Sequence, residues 1–467
     1  MPDINQHSVD VPAIRNRIID LLESGSHEDF LSFFNSYHEA DIAEAIQELP
    51  TADKIDFIKK VTPENAAEII EEMSLPQQTQ LISSLKITLG TKVIEEMEPD
   101  NRVDLIEELQ ASDLPRAKKI IRALPKEEKT ELKTLLSYPE DSAGAIMTTS
   151  FLYIPENLTV KQAIEAIKVL ENKDAPSYFI YIVNTYNQLV GHITFRHLVL
   201  TAPDVTIKSI RDDAPIFTFV DTDQEDVARS FRKYGIVEMP VLDQHNQLLG
   251  VITVDDVVDV VMEEATEDIY KLSGTSESDE SRLLTSTIFR STLSRSPWLM
   301  ITIFGGILAS LLISYYANFF SPKLFSLALS LSFIPMLMGL GGNVGNQSAA
   351  IIVRGLATGT IKPSSAIQTI AKEVLIGLLM GTLLAVSVFL FNLVISNHTL
   401  IFSSIVSLAL FFNILFATFI GSALPLLFVK LRIDPAIASA PFISTALDIA
   451  GQIIYFSLTL KILSFIS

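Results

Sequence analysis

The sequence predicts a multidomain chain: an α-superhelical array, a tandem α+β repeat, a connecting helix, and an all-α membrane unit of five helices. Three observations predict it. Proline punctuates short amphipathic runs from the N-terminus to Leu136. The segment beginning at Asn187 returns at Asn246, both times within β-rich sequence. From Pro297 to the end of the chain, the only acidic side chains are Glu373, Asp434 and Asp448. A chain of 467 residues is too long for one core, so several domains are required.

The charge is divided as sharply as the hydropathy. Of the net −20, the part before Pro297 carries −24 (28 basic, 52 acidic) and the part after it +4 (7 basic, 3 acidic). An acidic soluble part argues against nucleic acid as a partner, because phosphate contacts need clustered Lys and Arg. It favours cations instead. The absence of cysteine excludes disulfides, thiolate metal sites and thiol catalysis. Residues Met1 to Asp10 show no basic stretch followed by an apolar run, so no signal peptide is expected and the soluble part should stay in the cytoplasm.

Residues 1–136 form the predicted helical array. "AEAIQELP", "AEIIEEMSLP", "TKVIEEMEP" and "AKKIIRALP" end at Pro50, Pro76, Pro99 and Pro125, and Leu49, Met73 and Met97 recur at equal intervals. That interval fits a helix pair stopped by proline. The acids on its outer faces either solvate the repeat or attract cations.

Residues 137–270 change character. "NQLVGHIT" at Asn187–Thr194 recurs as "NQLLGVIT" at Asn246–Thr253, each after a β-rich run and before a helix starting near Phe195 or Val254. Asn-Gln at the turn suits a hairpin. An amphipathic helix precedes each copy, "TVKQAIEAIKVLE" and "DQEDVARSFRKYG". This repeat, divided near 137–203 and 204–270, resembles a pair of CBS domains, regulatory modules that commonly bind nucleotides or sense ions. CBS pairs often hold ribose through a Thr-x-x-Asp turn, which Thr253 to Asp256 matches. The first copy departs from it, with His197 in the place of the acid after Thr194, although Arg196 is placed to meet phosphate. The resemblance therefore implies ATP or a related nucleotide at Arg196, Thr253 and Asp256.

Residues 271–296 join the repeat to the membrane unit. Leu283, Leu284, Ile288, Phe289 and Leu293 fall at helical spacing, with Arg282, Arg290 and Arg295 alongside. This stretch is too short and polar to span a bilayer, but it suits a connecting helix.

Residues 297–467 hold apolar segments near 298–320, 324–350, 365–395, 401–429 and 436–464, each long enough to cross about 30 Å of hydrocarbon. With the acidic part cytoplasmic, Arg290, Arg295, Arg354, Lys362, Lys372, Lys430 and Arg432 fall inside, and only Lys323 and Lys461 outside. That asymmetry obeys the positive-inside rule and places the C-terminus outside.

Two segments carry chemistry. In "DPAIASAPFISTALDIAGQIIYF", Asp434 before Pro435 is placed to cap a helix, or to guard its mouth. Asp448 lies deeper, in a stripe with Pro441, Ser444, Thr445, Gly451, Gln452 and Tyr455 at helical steps. Such a stripe faces a polar path or another helix. A carboxylate at mid-bilayer costs about 2.5–3.5 kcal/mol, so it needs a partner or an ion. In "PMLMGLGGNVGNQSAA", Pro335 is able to bend a helix, Gly341 and Gly345 permit close approach, and Asn343, Asn346 and Gln347 offer neutral oxygens. These amides either bond between helices or line the path, with Asn413 a weaker member of the set.

A further acidic cluster is "TVDDVVDVVMEEATEDIYKL". Asp256 and Asp259 share a face, with Glu263 a turn beyond, and Glu264, Glu267 and Asp268 form another set at i, i+3 and i+4. Like charges at those spacings destabilise a helix by a few tenths of a kcal/mol per pair (about 0.2–0.5), a penalty a divalent ion removes. The alternative is a solvated acidic face.

"PMLMGLGGNVGNQSAA" together with "DPAIASAPFISTALDIAG" resembles the MgtE family of magnesium channels. That family has a helical N-domain, a CBS pair, a connecting plug helix and five membrane helices, the order read above. The resemblance implies a homodimer in a bacterial-type plasma membrane. It places Asp448 on the pore aspartate, with Asn343 and Asp434 near the path. It also places Asp256, Asp259, Glu264, Glu267 and Asp268 on ligands for regulatory Mg²⁺. Mg²⁺ dehydrates reluctantly and favours a few carboxylates with retained water, which one aspartate per subunit would supply.

The expected function is passive Mg²⁺ entry, closed when cytoplasmic Mg²⁺ bridges the acidic regions. No phosphate-binding P-loop, zinc-protease motif or Ser/His/Asp grouping points to an enzyme. The alternatives are an ion-coupled exchanger of divalent cations on the same fold, and a membrane-anchored CBS sensor that moves nothing.

Overall fold

Proline sets the beginnings of the short helices as much as their ends. In the computed structural model, which describes residues 10–169, 178–213, 215–275, 288–317, 331–395, 399–438 and 440–466, the array before residue 137 is a series of helices. They are α1 (Val11–Ser24), α2 (His27–Phe34), α3 (Glu39–Gln47), α4 (Thr51–Lys60) and α5 (Pro63–Glu71). Then come α6 (Leu75–Ser84), α7 (Ile87–Glu96), α8 (Pro99–Ser112), α9 (Leu114–Ala123) and α10 (Lys126–Leu135). Pro50 and Pro125 cap α4 and α10, while Pro63, Pro76 and Pro99 occupy first turns, where the missing N–H has no intrahelical acceptor to lose. Most of these helices pack on the next but one, as α1 on α3, α5 on α7 and α6 on α8, and α8 also packs on α9, so the array winds as a superhelix.

The repeat of the array also carries a polar device. Lys54, Gln78 and Arg102 each donate to the carbonyl of an earlier residue at the same offset, Gln47, Glu71 and Glu95, and Gln78 and Arg102 also reach those of Met73 and Met97. These carbonyls lie in the last turns of the preceding helices or in the turns just beyond them, and have no acceptor role within those helices. Leu49, Met73 and Met97 are buried in the turns just ahead.

The β-rich repeat forms two like modules. The first contains β1 (Tyr153–Pro155), α11 (Val160–Val169), β2 (Ile180–Val183), β3 (Leu189–Ile193), α12 (Phe195–Leu200) and α13 (Ile207–Ile210). The second contains β4 (Thr218–Phe219), α14 (Gln224–Tyr234), β5 (Glu238–Leu242), β6 (Leu248–Thr253) and α15 (Val254–Ser273). In each, an antiparallel hairpin gains a short parallel strand on its outer side, in the order β1-β2-β3 or β4-β5-β6. Both hairpins turn on an asparagine in the left-handed region, Asn187 (φ 60°) and Asn246 (φ 61°), a conformation asparagine tolerates. Gln188 donates to the His245 carbonyl at 2.9 Å, tying one turn to the other. The second module shares one core with the helical array through Ala143, Met147, Val227, Phe231, Met239 and Val257. The first has its own around Ile154, Val160, Ile182 and Ile193.

The described residues group into two units, 1–261 and 262–467. Beyond the end of α15, the second unit contains α16 (Ile288–Ala317), α17 (Ile334–Ala357), α18 (Ala366–Leu390), α19 (Leu400–Lys430) and α20 (Ala440–Ile466). A 3₁₀ turn, Pro363–Ser365, precedes α18 and a π-turn, Phe391–Ile395, follows it. Leu283, Leu284 and Arg282 lie outside the described residues. From Ile288 the helix runs without a break through Pro297 into the first span. Among the described residues, Thr292–Ala317, Pro363–Val394, Leu400–Lys430 and Ala440–Ile462 are long and apolar enough to cross a bilayer. α17 is not one of these, because its glycines and amides dilute its apolar content. The centre of this unit is α19, which packs on α17, α18 and α20.

Candidate functional site

Close packing of α17, α19 and α20 rests on glycine. A Cβ on Gly421 would strike the Gly345 backbone, and one on Gly341 would lie 2.7 Å from Asn413 Nδ2. Asn413, 1% exposed, fills this junction, its Nδ2 donating to the Leu337 carbonyl at 2.7 Å. A second link joins α17 to α20, where Asn346 Nδ2 donates to Ser444 Oγ at 3.1 Å. A third joins α17 to α18, where Ser348 Oγ donates to Glu373 Oε2 at 2.9 Å. Glu373, though acidic and within a span, is thereby a paired structural carboxylate.

Most of the polar stripe on α20 is used in the same way. Ser444 bonds Asn346, Thr445 packs against Gly305 of α16, Gly451 lies against Asn413, and Gln452 and Tyr455 are buried. Asp448 is the exception. It is half-buried, about two turns into α20, and among the described residues no donor or cation is paired with its carboxylate. On α17, the expected path residue Asn343 is exposed, with Pro335, Gly339, Gln347 and Ala350 on the same stripe. Asn346 does not share that face, because it turns to Ser444.

Asp434 is placed differently from the expectation of a helix cap leading straight to Asp448. It caps the 3₁₀ turn Pro435–Ile437, Oδ1 accepting from the Ala436 amide at 2.8 Å, and α20 begins only at Ala440. Its other oxygen, Oδ2, accepts from Lys271 Nζ of α15 at 2.7 Å. Lys271 also pairs with Glu267 one turn earlier on α15. Burial disfavours the ammonium, but bonds from these two carboxylates outweigh that and hold its pKa above the usual lysine value. Glu264 and Asp268 are half-buried on the same helix.

In the first unit the structure brings together two carboxylates from distant parts of the chain. Asp256 lies in the first turn of α15, accepting from Thr253 Oγ1 at 2.5 Å and from the Thr253 amide at 3.3 Å. Its pKa is pushed up, first by burial and then by the charge of Asp100, a 7% exposed residue in the first turn of α8. Asp100 is pushed up too, by burial first and then by Glu98 and Asp104. Nearby Glu71 is driven to about 7, mainly by burial, with Asp100 adding to it. Two carboxylates withdrawn from water and facing one another offer the hard oxygen donors that Mg²⁺ takes, with the Arg102 guanidinium also acting on Asp100 and Glu71. Asp259 is raised by burial and by Asp255. Among the described residues no group of three or more acidic or imidazole side chains is set as a ready-made metal cage.

For the nucleotide, the Thr253–Asp256 turn exists as expected, and Arg196 is exposed on α12. In the first module Thr194 Oγ1 accepts from the His197 amide at 3.2 Å, the same cap without an acid. Asp100, Glu71 and Lys271 were not singled out in the sequence. Only Lys271 left a local signal, one helical turn after Glu267; the others meet their partners through the fold.

Comparison with known proteins agrees with this organisation. A family described as divalent cation transporter matches residues 334–458, an MgtE intracellular N domain matches 37–141, and CBS domains match 143–203 and 207–263. The magnesium transporter MgtE of Enterococcus faecalis is 36% identical over 332 residues, covering 71% of this chain and 71% of the relative. That of Thermus thermophilus is 33% identical, covering 70% and 72%. The crystal structure of the soluble part of a magnesium transporter matches with a TM-score of 0.52 at 30% identity, over 55% of this chain and all of that one. The cytosolic domain of the Mg²⁺ channel MgtE in complex with ATP matches with a TM-score of 0.50 at 25% identity, over 53% and 99%. With a helical N domain, tandem CBS domains and an apolar helical region in that order, the chain belongs to the MgtE family of magnesium transporters.

Proposed function

We propose that the chain forms a Mg²⁺ channel, that two copies assemble around the path, and that Asp448 from each holds the passing hydrated ion. The observation that carries this is Asp448 itself. It is a half-buried carboxylate in a membrane-spanning helix, without a partner among the described residues, while its neighbours on the stripe are bonded or packed. A carboxylate so placed must face water or an ion. The exposed stripe of Pro335, Gly339, Asn343 and Gln347 supports a polar neighbour on that side of α17, and Asn343 is the amide assigned to the path. Asp434 stands at its cytoplasmic end in this reading.

The ion runs down its gradient. Inward movement of a divalent cation gains about 4.6 kcal/mol per 100 mV, so no ATP hydrolysis is required. The acidic domains lie in the cytoplasm of a plasma-membrane protein, and the C-terminus lies outside. Closure is feedback: cytoplasmic Mg²⁺ at Asp100 with Asp256, and at Asp259, Glu264, Glu267 and Asp268, stabilises the shut state. ATP or a related nucleotide binds at Thr253, Asp256 and Arg196, a reading supported by the ATP complex of the related cytosolic domain.

Mg²⁺ flux into liposomes holding the full chain tests this. Asp448→Asn is expected to abolish flux in protein that remains folded. Flux equal to wild type in that variant rejects the pore assignment and favours a sensor that moves nothing. Slow flux that requires a sodium or proton gradient favours a coupled exchanger.

A further inference from the structure

Lys271 joins two acids that the sequence assigned to different roles, Glu267 to regulation and Asp434 to the ion path. Its ammonium bonds Asp434 Oδ2 at 2.7 Å and reaches Glu267 on its own helix, while Asp434 Oδ1 stays committed to the Ala436 amide. The two carboxylates thus share a single positive charge. The contact is reinforced just beyond α15. Gly274, at φ 80°, ends the helix in the left-handed region and lies against Pro441, where a Cβ would lie 2.6 Å from the proline Cγ and 3.5 Å from Trp298 Cβ. The end of α15, the first turn of α20 and α16 therefore meet at one point.

We propose that Lys271 is a tethered counter-ion that competes with Mg²⁺ for Glu267 and Asp434, and thereby sets the Mg²⁺ concentration at which the channel closes. The inference rests on the feedback reading given above. Without Lys271, two carboxylates would face each other at every Mg²⁺ concentration, and the end of α15 would be repelled from the lead-in to α20. With it, the neutralising charge is always present, and a divalent ion must displace an ammonium already in place. An ammonium is a compact, strongly hydrated point charge on a flexible stem, suited to leaving and returning. The two bonds are partly exposed, so their loss is modest and the exchange is reversible.

The test compares wild type, Lys271→Met and Lys271→Arg as full chains in liposomes, with flux measured against Mg²⁺ on the cytoplasmic side. The chain's one tryptophan, Trp298, adds a second readout, since its fluorescence during titration with Mg²⁺ alone reports on this junction whether or not ions pass. For Lys271→Met, the half-inhibiting and half-titrating Mg²⁺ concentrations are both expected to fall by about threefold to tenfold. Lys271→Arg, which keeps the charge, should stay near wild type. A Lys271→Met curve superimposed on wild type overturns the inference while leaving feedback intact. So does one shifted to higher Mg²⁺, which would make Lys271 a structural latch. Wild-type flux and fluorescence both indifferent to cytoplasmic Mg²⁺ overturn the feedback reading and this inference together.

Discussion

Asp100, Asp256, Glu238 and Asp448 are all carboxylates at least partly buried, and what surrounds each decides its use. Glu238 on β5 is 3% exposed, and burial drives its pKa to about 7, with the Tyr181 hydroxyl and Phe179 amide pulling the other way. A carboxyl raised in the folded state stabilises below its ordinary value of 4.5, and that contribution is lost as pH rises through about 7. Glu238→Gln should therefore stabilise the full chain by about 2–3 kcal/mol at pH 8 and by little at pH 5, read from denaturant unfolding. A gain independent of pH would mean that the Glu238 carboxyl titrates alike in the folded and unfolded chain. Asp100→Asn removes one of two facing charges. It should raise the melting temperature in chelator and shrink the further rise on adding Mg²⁺, whereas an undiminished Mg²⁺ response would exclude Asp100 as a ligand. Asp448 was legible because acids are so scarce after Pro297. Asp100 was not, being one of many acids before it, and only the packing of α8 near α15 gives it a partner.

Elements differ in how much sequence they needed. The period of the helical array and the two Asn-Gln turns were readable because each unit repeats a local rule, proline at a helix start or asparagine at φ near 60°. The positions and parallel pairing of β1 and β4, three and two residues long, were not, since such pairing is decided by a distant strand. Pro297 lies inside a continuous helix, as a proline in a membrane helix is tolerated where neighbours compensate. Among the described residues of the helical membrane unit, Gly421 meets Gly345 backbone against backbone. Gly421→Ala has no flexible side chain to push aside, so it should destabilise by about 1–3 kcal/mol and reduce flux in proportion. Unchanged melting and flux would show that α17 and α19 lie further apart.

At the scale of the whole molecule, acidic domains precede a membrane unit with few charges, and in the proposed function Mg²⁺ is both cargo and signal. Replacing Glu264, Glu267 and Asp268 together by their amides should leave inward flux intact but free of inhibition by cytoplasmic Mg²⁺. Retained inhibition would move the sensor elsewhere, to Asp100 and Asp256 first. The domain order was legible from charge, hydropathy and repeats, whereas pairing across the chain was not, because no local pattern encodes it. The most direct measurement of the central claim is single-channel current through the full chain, with Mg²⁺ the only permeant cation. Wild type is expected to show discrete unitary steps, and Asp448→Asn none. Unitary steps of equal size in Asp448→Asn would contradict an ion path built on that carboxylate.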